Sequence, residues 1–287
     1  MRHDTTTDYA ARIARALALI ENTPEGEAPP TLTALAQAAA LSPFHFHRVF
    51  RLMTGETLGA ACQRLRLARS LHALADTGLS ITEAAAGSGY ATSQAFGRAM
   101  RQAVGASATT IRTDPAVAAR AAAALRQGGS GDAPLAVEVV SLDPFQVVAL
   151  RRQGPYAELD AGFDQLFATV FAEVDQAAFR GIWGVPLDDE TSIDPARALF
   201  DYALDVDGAP VAATNIAAVA LGGYAALSLD HIGSYDAAHA ALDRLYEAAI
   251  TGRLAIADLP PLVHYHDEPD SKPEAELRAT LYLPLAG

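Results

Sequence analysis

The sequence predicts a multi-domain chain: an all-α N-terminal domain built from two helix-turn-helix units, and an α+β C-terminal domain built from two strand–helix repeats. Three observations predict this. A Gly/Ser-rich stretch, Gly128-Gly129-Ser130-Gly131-Asp132-Ala133-Pro134, has the composition of a flexible linker and divides the 287 residues. Apolar spacing changes across it, from helical periodicity to strand alternation. Each half also repeats itself, at an offset of 50 residues before the linker and 79 after it. The expected division is residues 1–127, a linker at 128–134, and residues 135–287.

In the first half, Ile13, Leu17 and Ile20 share one face of a helix expected at about 7–22. A short helix follows at 32–39, then a tight turn at Leu41-Ser42. A second helix starts at Pro43, with Ser42 as its N-cap. On that helix Phe46, Val49, Phe50 and Met53 lie at core spacing. Phe44, His45, His47, Arg48 and Arg51 take the other face. The second copy is expected as a helix at 81–86, a turn at Gly87-Ser88-Gly89 and a helix at 92–103. There Phe96, Met100 and Ala103 face inward, and Ser93, Gln94, Gly97, Arg98 and Arg101 face outward. Phe46, Arg48, Arg51 and Gly55 thus recur as Phe96, Arg98, Arg101 and Gly105. A connecting helix at 57–76, about 30 Å long, carries Arg64, Arg66 and Arg69 and is close to one turn of B-DNA, about 34 Å. Arg48 has a second use, as an ion-pair partner for Glu83. Asp114-Pro115 opens a last Ala-rich helix running to about residue 127.

In the second half, strands are expected at 135–142, 146–152, 199–206 and 277–285, with helices near 158–176 and 236–250. Gly154, Tyr156, Asp164 and Leu166 recur as Gly233, Tyr235, Asp243 and Leu245. Two strand–helix repeats closing on each other leave a groove. Phe145, Tyr156, Trp183, Tyr202, Tyr235, Tyr265 and Tyr282 are the aromatics available to line it, or to fill a core. An aromatic-lined groove accepts flat or cationic apolar molecules.

Charge separates the halves. Residues 1–127 hold 13 Arg and 9 acids, net +4, whereas residues 128–287 hold 8 bases and 25 acids, net −17. Within 42–112 the balance is +5. A basic block on an acidic chain fits a polyanion-binding module, and fits solvated surface charge as well. Cys62 has no internal disulfide partner, which suits a reducing cytosol. No stretch is apolar and long enough to span a bilayer, and Asp4 and Asp8 interrupt any secretory signal, so a cytoplasmic protein without membrane association is expected. His264-Tyr265-His266 offers two imidazoles on one strand face and no third metal ligand. His239 and Asp243 are an i, i+4 helix pair. Ser228-Asp230-His231 lacks a nucleophile elbow. No catalytic residue, metal or cofactor is assigned, and the chain is read as a non-enzyme.

Two sets of motifs resemble known families. Leu35-Ala36, Leu41-Ser42, Phe46-x-Arg48-x-Phe50-Arg51 and Gly55 resemble the first half of the AraC/XylS regulator domain. Gly89-Tyr90-x-x-Ser93-x-x-Phe96-x-Arg98-x-Met100-Arg101-x-x-x-Gly105 resembles its second half. The pattern departs at Ala108, where the family has Pro, and at Ile111, where it has an aromatic. The resemblance implies sequence-specific binding of double-stranded promoter DNA. It implies base contacts from Phe44, His47 and Arg48 and from Ser93, Gln94 and Arg98. Arg51 and Arg101 hold phosphates in this reading, and RNA polymerase is an expected partner. In the second half, Arg152-Gln153-Gly154-Pro155-Tyr156, Gly181-Ile182-Trp183-Gly184-Val185, Ala203-Leu204-Asp205-Val206 and Leu281-Tyr282-Leu283-Pro284-Leu285 resemble the GyrI-like effector-binding domain of Rob-like regulators. That implies a small aromatic or amphipathic effector and a multidrug-type response. Thr280 stands where the family often has an acidic residue. The alternative reading is a DNA-binding protein whose GyrI-like domain hydrolyses a small molecule.

Overall fold

The computed structural model describes residues 8–24, 27–76, 80–88, 90–104, 107–113, 137–156, 159–208 and 215–287. The expected linker, the helix after Pro115, and Gly89 and Gly105 of the repeat lie outside these residues. By their contacts the described residues form two units. One holds residues 10–46 and 53–113; the other holds residues 8–9, 47–52 and those from 137 onward.

The helical region begins with α1 (Tyr9–Glu21), which buries Ile13, Ala16 and Ile20 on one face. Helix α2 (Leu32–Ala38) is capped by Thr31, whose hydroxyl accepts from Ala34 N at 3.2 Å. The chain then turns through Ala40 in a left-handed conformation, φ 51°, into α3 (Pro43–Thr54). Ser42 precedes α3 as expected, but its buried hydroxyl finds no partner among the described residues. Its carbonyl accepts from Phe46 N at 3.0 Å, so the backbone and Pro43 start this helix.

Helix α4 (Leu58–Asp76), nineteen residues long, leads to the second copy, about 28 Å on at 1.5 Å per residue. Helix α5 (Ile81–Gly87) opens on a reciprocal capping box between Ser80 and Glu83. Thr92 caps α6 (Ser93–Val104) through Ala95 N at 3.1 Å. Helix α7 (Ala108–Thr113) closes the bundle. Phe96, Met100 and Ile111 are fully buried, packed with Leu67, Ala68, Ala84, Ala85 and Ala108, with Ile81 and Tyr90 at the edge. The two positions that depart from the AraC/XylS pattern, Ala108 and Ile111, are therefore core residues of this bundle.

The C-terminal region is an eight-stranded, antiparallel sheet with two helices. Its strands are β1 (Glu138–Leu142), β2 (Phe145–Gln153), β3 (Phe179–Pro186), β4 (Leu199–Val206), β5 (Ile216–Leu221), β6 (Tyr224–Ile232), β7 (Leu262–Tyr265) and β8 (Arg278–Pro284). Helix α8 (Leu159–Val170) follows β2, and α9 (Tyr235–Thr251) follows β6. The spatial order is β1-β6-β8-β7-β3-β4-β2-β5. The 79-residue repeat is legible in that order. The units β1-β2-α8-β3-β4 and β5-β6-α9-β7-β8 meet at the β3–β7 pair. Each exchanges its first strand, so that β1 pairs with β6 and β5 with β2.

The pleat sorts side chains between two faces. Leu150, Ile182, Tyr202, Leu204, Val263, Tyr265 and Ala279 share one core with Leu166 and Val170 of α8. The register places Trp183 beside Ala203 and His264, and His264 beside Thr280, on the opposite face.

Candidate functional site

Two surfaces hold the residues that the sequence singles out. The first is the second helix of each helix-turn-helix. On α6, Gln94, Arg98 and Arg101 are exposed and Ser93 is half-buried. Phe96 and Met100 turn into the bundle, which orients that polar face outward. Nothing there neutralises Arg98 or Arg101 by an ion pair among the described residues.

The equivalent face of α3 is differently placed. Phe44 is half-buried, while His47 and Arg48 are 7% and 6% exposed. The segment 47–52 groups with the C-terminal unit, and inside that unit both arginines meet carboxylates. Arg51 donates from Nη2 to both oxygens of Asp243 at 2.9 Å and from Nε to Asp189 Oδ2 at 3.1 Å. Arg48 Nε lies 3.1 Å from Asp243 Oδ1, its Nη2 lies 3.7 Å from Asp189 Oδ1, and its guanidinium stands over the Tyr246 ring at 5.2 Å. The pairing with Glu83 raised by the sequence does not form; Glu83 closes the capping box instead. Asp189 is 1% exposed and also accepts from the hydroxyls of Thr191 and Ser192, both at 2.7 Å. Burial alone would raise its pKa, but Arg48, the Ser192 and Thr191 hydroxyls and Arg51 outweigh it and bring the carboxyl to about 2.

The second surface is a cavity of about 940 Å³ in the C-terminal unit. Its aromatic wall is Tyr156, Phe163, Phe167, Phe171, Phe179, Tyr235 and Tyr265, and the lining also holds the exposed carboxylates Asp160, Asp164, Asp236, Glu268 and Glu274 and the buried Asp267. No Lys or Arg is among the lining residues, although Asp267 is paired outside the cavity with Lys272 and Arg278. The two Gly-x-Tyr turns build it symmetrically. The Tyr156 hydroxyl sits between the carbonyls of Asp188 and Leu199, at 3.1 and 3.0 Å. Seventy-nine residues on, the Tyr235 hydroxyl sits between those of Asp267 and Arg278, at 2.6 and 3.2 Å. Gly154 N and Gly233 N likewise donate to the matching carbonyls of Ala198 and Leu277, at 2.9 and 2.8 Å. Burial raises the pKa of both phenols, so they stay neutral donors at ordinary pH.

Of the seven aromatics named from the sequence, Tyr156, Tyr235 and Tyr265 line this cavity. Tyr202 lies on the same sheet face behind Phe163, with ring centroids 5.0 Å apart. Phe145, Trp183 and Tyr282 gather on the opposite face, Trp183 standing 4.7 Å from Phe145 and 6.0 Å from Tyr282. Trp183 also stacks on His264 at 4.1 Å and 3°. Four phenylalanines of the lining, Phe163, Phe167, Phe171 and Phe179, were not named for the groove from the sequence. The i, i+4, i+8 spacing of the first three was the signal available.

The histidines make no metal cluster; no group of three or more ligand side chains exists among the described residues. His266 Nε2 lies 2.8 Å from Thr280 Oγ1, which donates to Asp230 Oδ1 at 2.8 Å. A carboxylate thus stands directly across the strand from Thr280, on the face away from the cavity. His239 does not pair with Asp243; its Nε2 lies 3.1 Å from the Tyr265 hydroxyl, and desolvation brings its pKa down to about 3.

Two family models match the chain. Residues 35–114 match the helix-turn-helix domain family, and residues 135–286 match the GyrI-like small molecule binding domain. The chain is 41% identical over 101 residues to "Regulatory protein ada" of Salmonella typhimurium, covering 35% of this chain and 27% of that one. It is 39% identical over 88 residues to the "Bifunctional transcriptional activator/DNA repair enzyme Ada" of Escherichia coli, covering 31% and 25%. The chain thus spans about a quarter of the length of these relatives. The solved EcmrR C-terminal domain shares 15% identity at a TM-score of 0.45, covering 53% of this chain and 96% of that one. With 152 residues, 135–286, under the GyrI-like family model, the chain belongs to the GyrI-like small-molecule-binding family and carries a helix-turn-helix domain on its N-terminal side.

Proposed function

We propose that the chain is a transcription regulator whose residues 1–127 bind promoter DNA and whose residues 135–287, beyond a linker at 128–134, sense a small molecule. Ser93, Gln94 and Arg98 read base edges from α6, with Arg101 on a phosphate; Phe44, His47, Arg48 and Arg51 are the corresponding set on α3. Arg suits the paired acceptors of guanine and Gln the acceptor–donor edge of adenine. RNA polymerase is the further partner this role implies, and the cytoplasm its compartment. Among the described residues no helix is long and apolar enough to cross a membrane.

The observation that carries the sensing half is the carboxylate-bearing, aromatic-walled cavity beneath the two Gly-x-Tyr turns. A flat amphipathic molecule buries its apolar body against the phenylalanines, and a positive end answers the exposed carboxylates of the lining. We read the domain as a binder and not an enzyme. Ser234, a hydroxyl in the lining, is engaged as the cap of α9, accepting from Asp236 N at 3.2 Å.

Two measurements test the proposal. Fluorescence anisotropy with duplex DNA is expected to show affinity falling roughly 10³-fold or more between about 50 and 200 mM salt; salt-insensitive or absent binding removes the regulator reading. A thermal-shift titration with a planar cationic dye is expected to raise the melting temperature, and to do so less in Phe167→Ala. Recovery of the dye unchanged after long incubation is the expected outcome for a binder.

A further inference from the structure

We infer that Asp189 and Asp243 act as internal phosphate mimics that compete with DNA for Arg48 and Arg51. The inference rests on the DNA-binding reading above and adds its regulation.

Four features carry it. First, the pairing uses on Arg51 the hydrogen bonds that a phosphate would need. Arg51 donates to one carboxylate through Nη2 and to the other through Nε, so its guanidinium has no second fork to offer a nucleic acid. Arg48 lies against the same two carboxylates by charge alone, its buried Nε making no hydrogen bond among the described residues. Second, the repeat supplies the contrast. Arg98 and Arg101 hold the corresponding positions on α6, 50 residues on, and are exposed. One arginine pair is thus retained and the other presented. Third, Asp189 is built for the role: it is nearly fully buried and fixed by the Thr191 and Ser192 hydroxyls. A carboxylate ordered before the arginine arrives loses little freedom on pairing. Fourth, both carboxylates are tied to residues that line the cavity without lining it themselves. The neighbours of Asp189 are tied to the wall, since Tyr156 N donates to Glu190 Oε2 at 2.7 Å and the Tyr156 hydroxyl meets Asp188. Asp243 lies on α9, two turns after the lining residues Tyr235 and Asp236. A molecule that shifts Tyr156 or Tyr235 therefore shifts the groups holding the arginines, and linkage makes DNA and that molecule affect each other's affinity.

The test measures affinity of the full chain for a random-sequence duplex of about three helical turns, across a salt series. It compares wild type, Asp243→Asn, Asp189→Asn and Asp258→Asn, the last an exposed acid outside both surfaces. Asp243→Asn and Asp189→Asn are expected to bind about tenfold more tightly at low salt. Their slope of log affinity on log salt is expected to steepen by up to about 2, for two further phosphate contacts. Asp258→Asn reports the gain from losing any negative charge and is expected to match wild type. Arg48→Ala and Arg51→Ala placed in the Asp243→Asn background are expected to abolish the gain. Should the buried Asp189→Asn fail to fold, the more exposed Asp243→Asn carries the comparison. Salt-sensitive binding by wild type, with Asp243→Asn no tighter than Asp258→Asn, overturns the inference and leaves the regulator reading standing. Absence of salt-sensitive binding in wild type and Asp243→Asn alike overturns both.

Discussion

Arg48 and Arg98 occupy equivalent positions of a 50-residue repeat and meet opposite surroundings. Arg98 reaches solvent on α6, whereas Arg48 is packed over Tyr246 beside two carboxylates. The consequence for Arg98 is direct. Arg98→Ala is expected to cost about 1–3 kcal/mol of affinity for a cognate site and to relax base preference at one position, readable in a band-shift titration. Asp189 gives a residue-scale prediction for stability. Its folded pKa of about 2 lies below the ordinary carboxylate value, so it stabilises the fold above that value and the contribution disappears as pH falls through about 2. Asp189→Asn is expected to lose about 2 kcal/mol near neutral pH and to flatten acid unfolding below about pH 4, in urea titrations at stepped pH. The identities of Arg48 and Arg98 as candidates were legible in the sequence. Their different environments were not, because Arg48 meets Asp189 and Asp243, which lie far along the chain.

At the scale of elements, the cavity depends on how closely α8 approaches the sheet. Gly162 sits on α8 against Tyr202, and a Cβ there would lie 2.2 Å from the ring. Gly162→Ala is expected to push α8 outward and cost about 1–3 kcal/mol, with loss of the dye-induced thermal shift. The two anchoring phenols make a paired prediction. Tyr156→Phe and Tyr235→Phe each remove a hydroxyl held by two carbonyls, and each is expected to lower stability by about 0.5–1.5 kcal/mol in chemical denaturation. Trp183 provides a control on location. It lies across the sheet from the cavity, so dye binding is expected to move the melting temperature far more than Trp183 emission. Strands β2, β4 and β8 were legible as short runs rich in apolar and aromatic residues. Strands β5 and β6 were not, since the Ala-rich run 217–226 suits helix as readily as strand; pairing with β2 and β1 decides them.

Across the whole molecule, histidines drawn partly or wholly out of water set the response to acid. Desolvation lowers the pKa of His47, His239, His264 and His266, to about 3 for His239 and about 4 for His264. A histidine whose folded pKa is depressed supports the fold while neutral. That support is complete above its unfolded value of about 6.5 and is lost as pH falls toward the folded one. The melting temperature is expected to decline as pH drops from about 6.5 to 4, with His239→Gln reducing the slope. A flat melting temperature over that range removes the assignment. What the sequence alone determined is what depends on near neighbours: helix periodicity, the Gly-x-Tyr turns, the two repeat offsets and the basic character of the first half. Only the tertiary structure decided the exchange of β1 and β5 between the repeats, which three of seven aromatics face the cavity, and which arginines meet carboxylates. The reason is physical. A pleat sends adjacent residues to opposite faces, so a side chain's surroundings follow from strand register and from partners far away in the chain, and neither is encoded in local spacing.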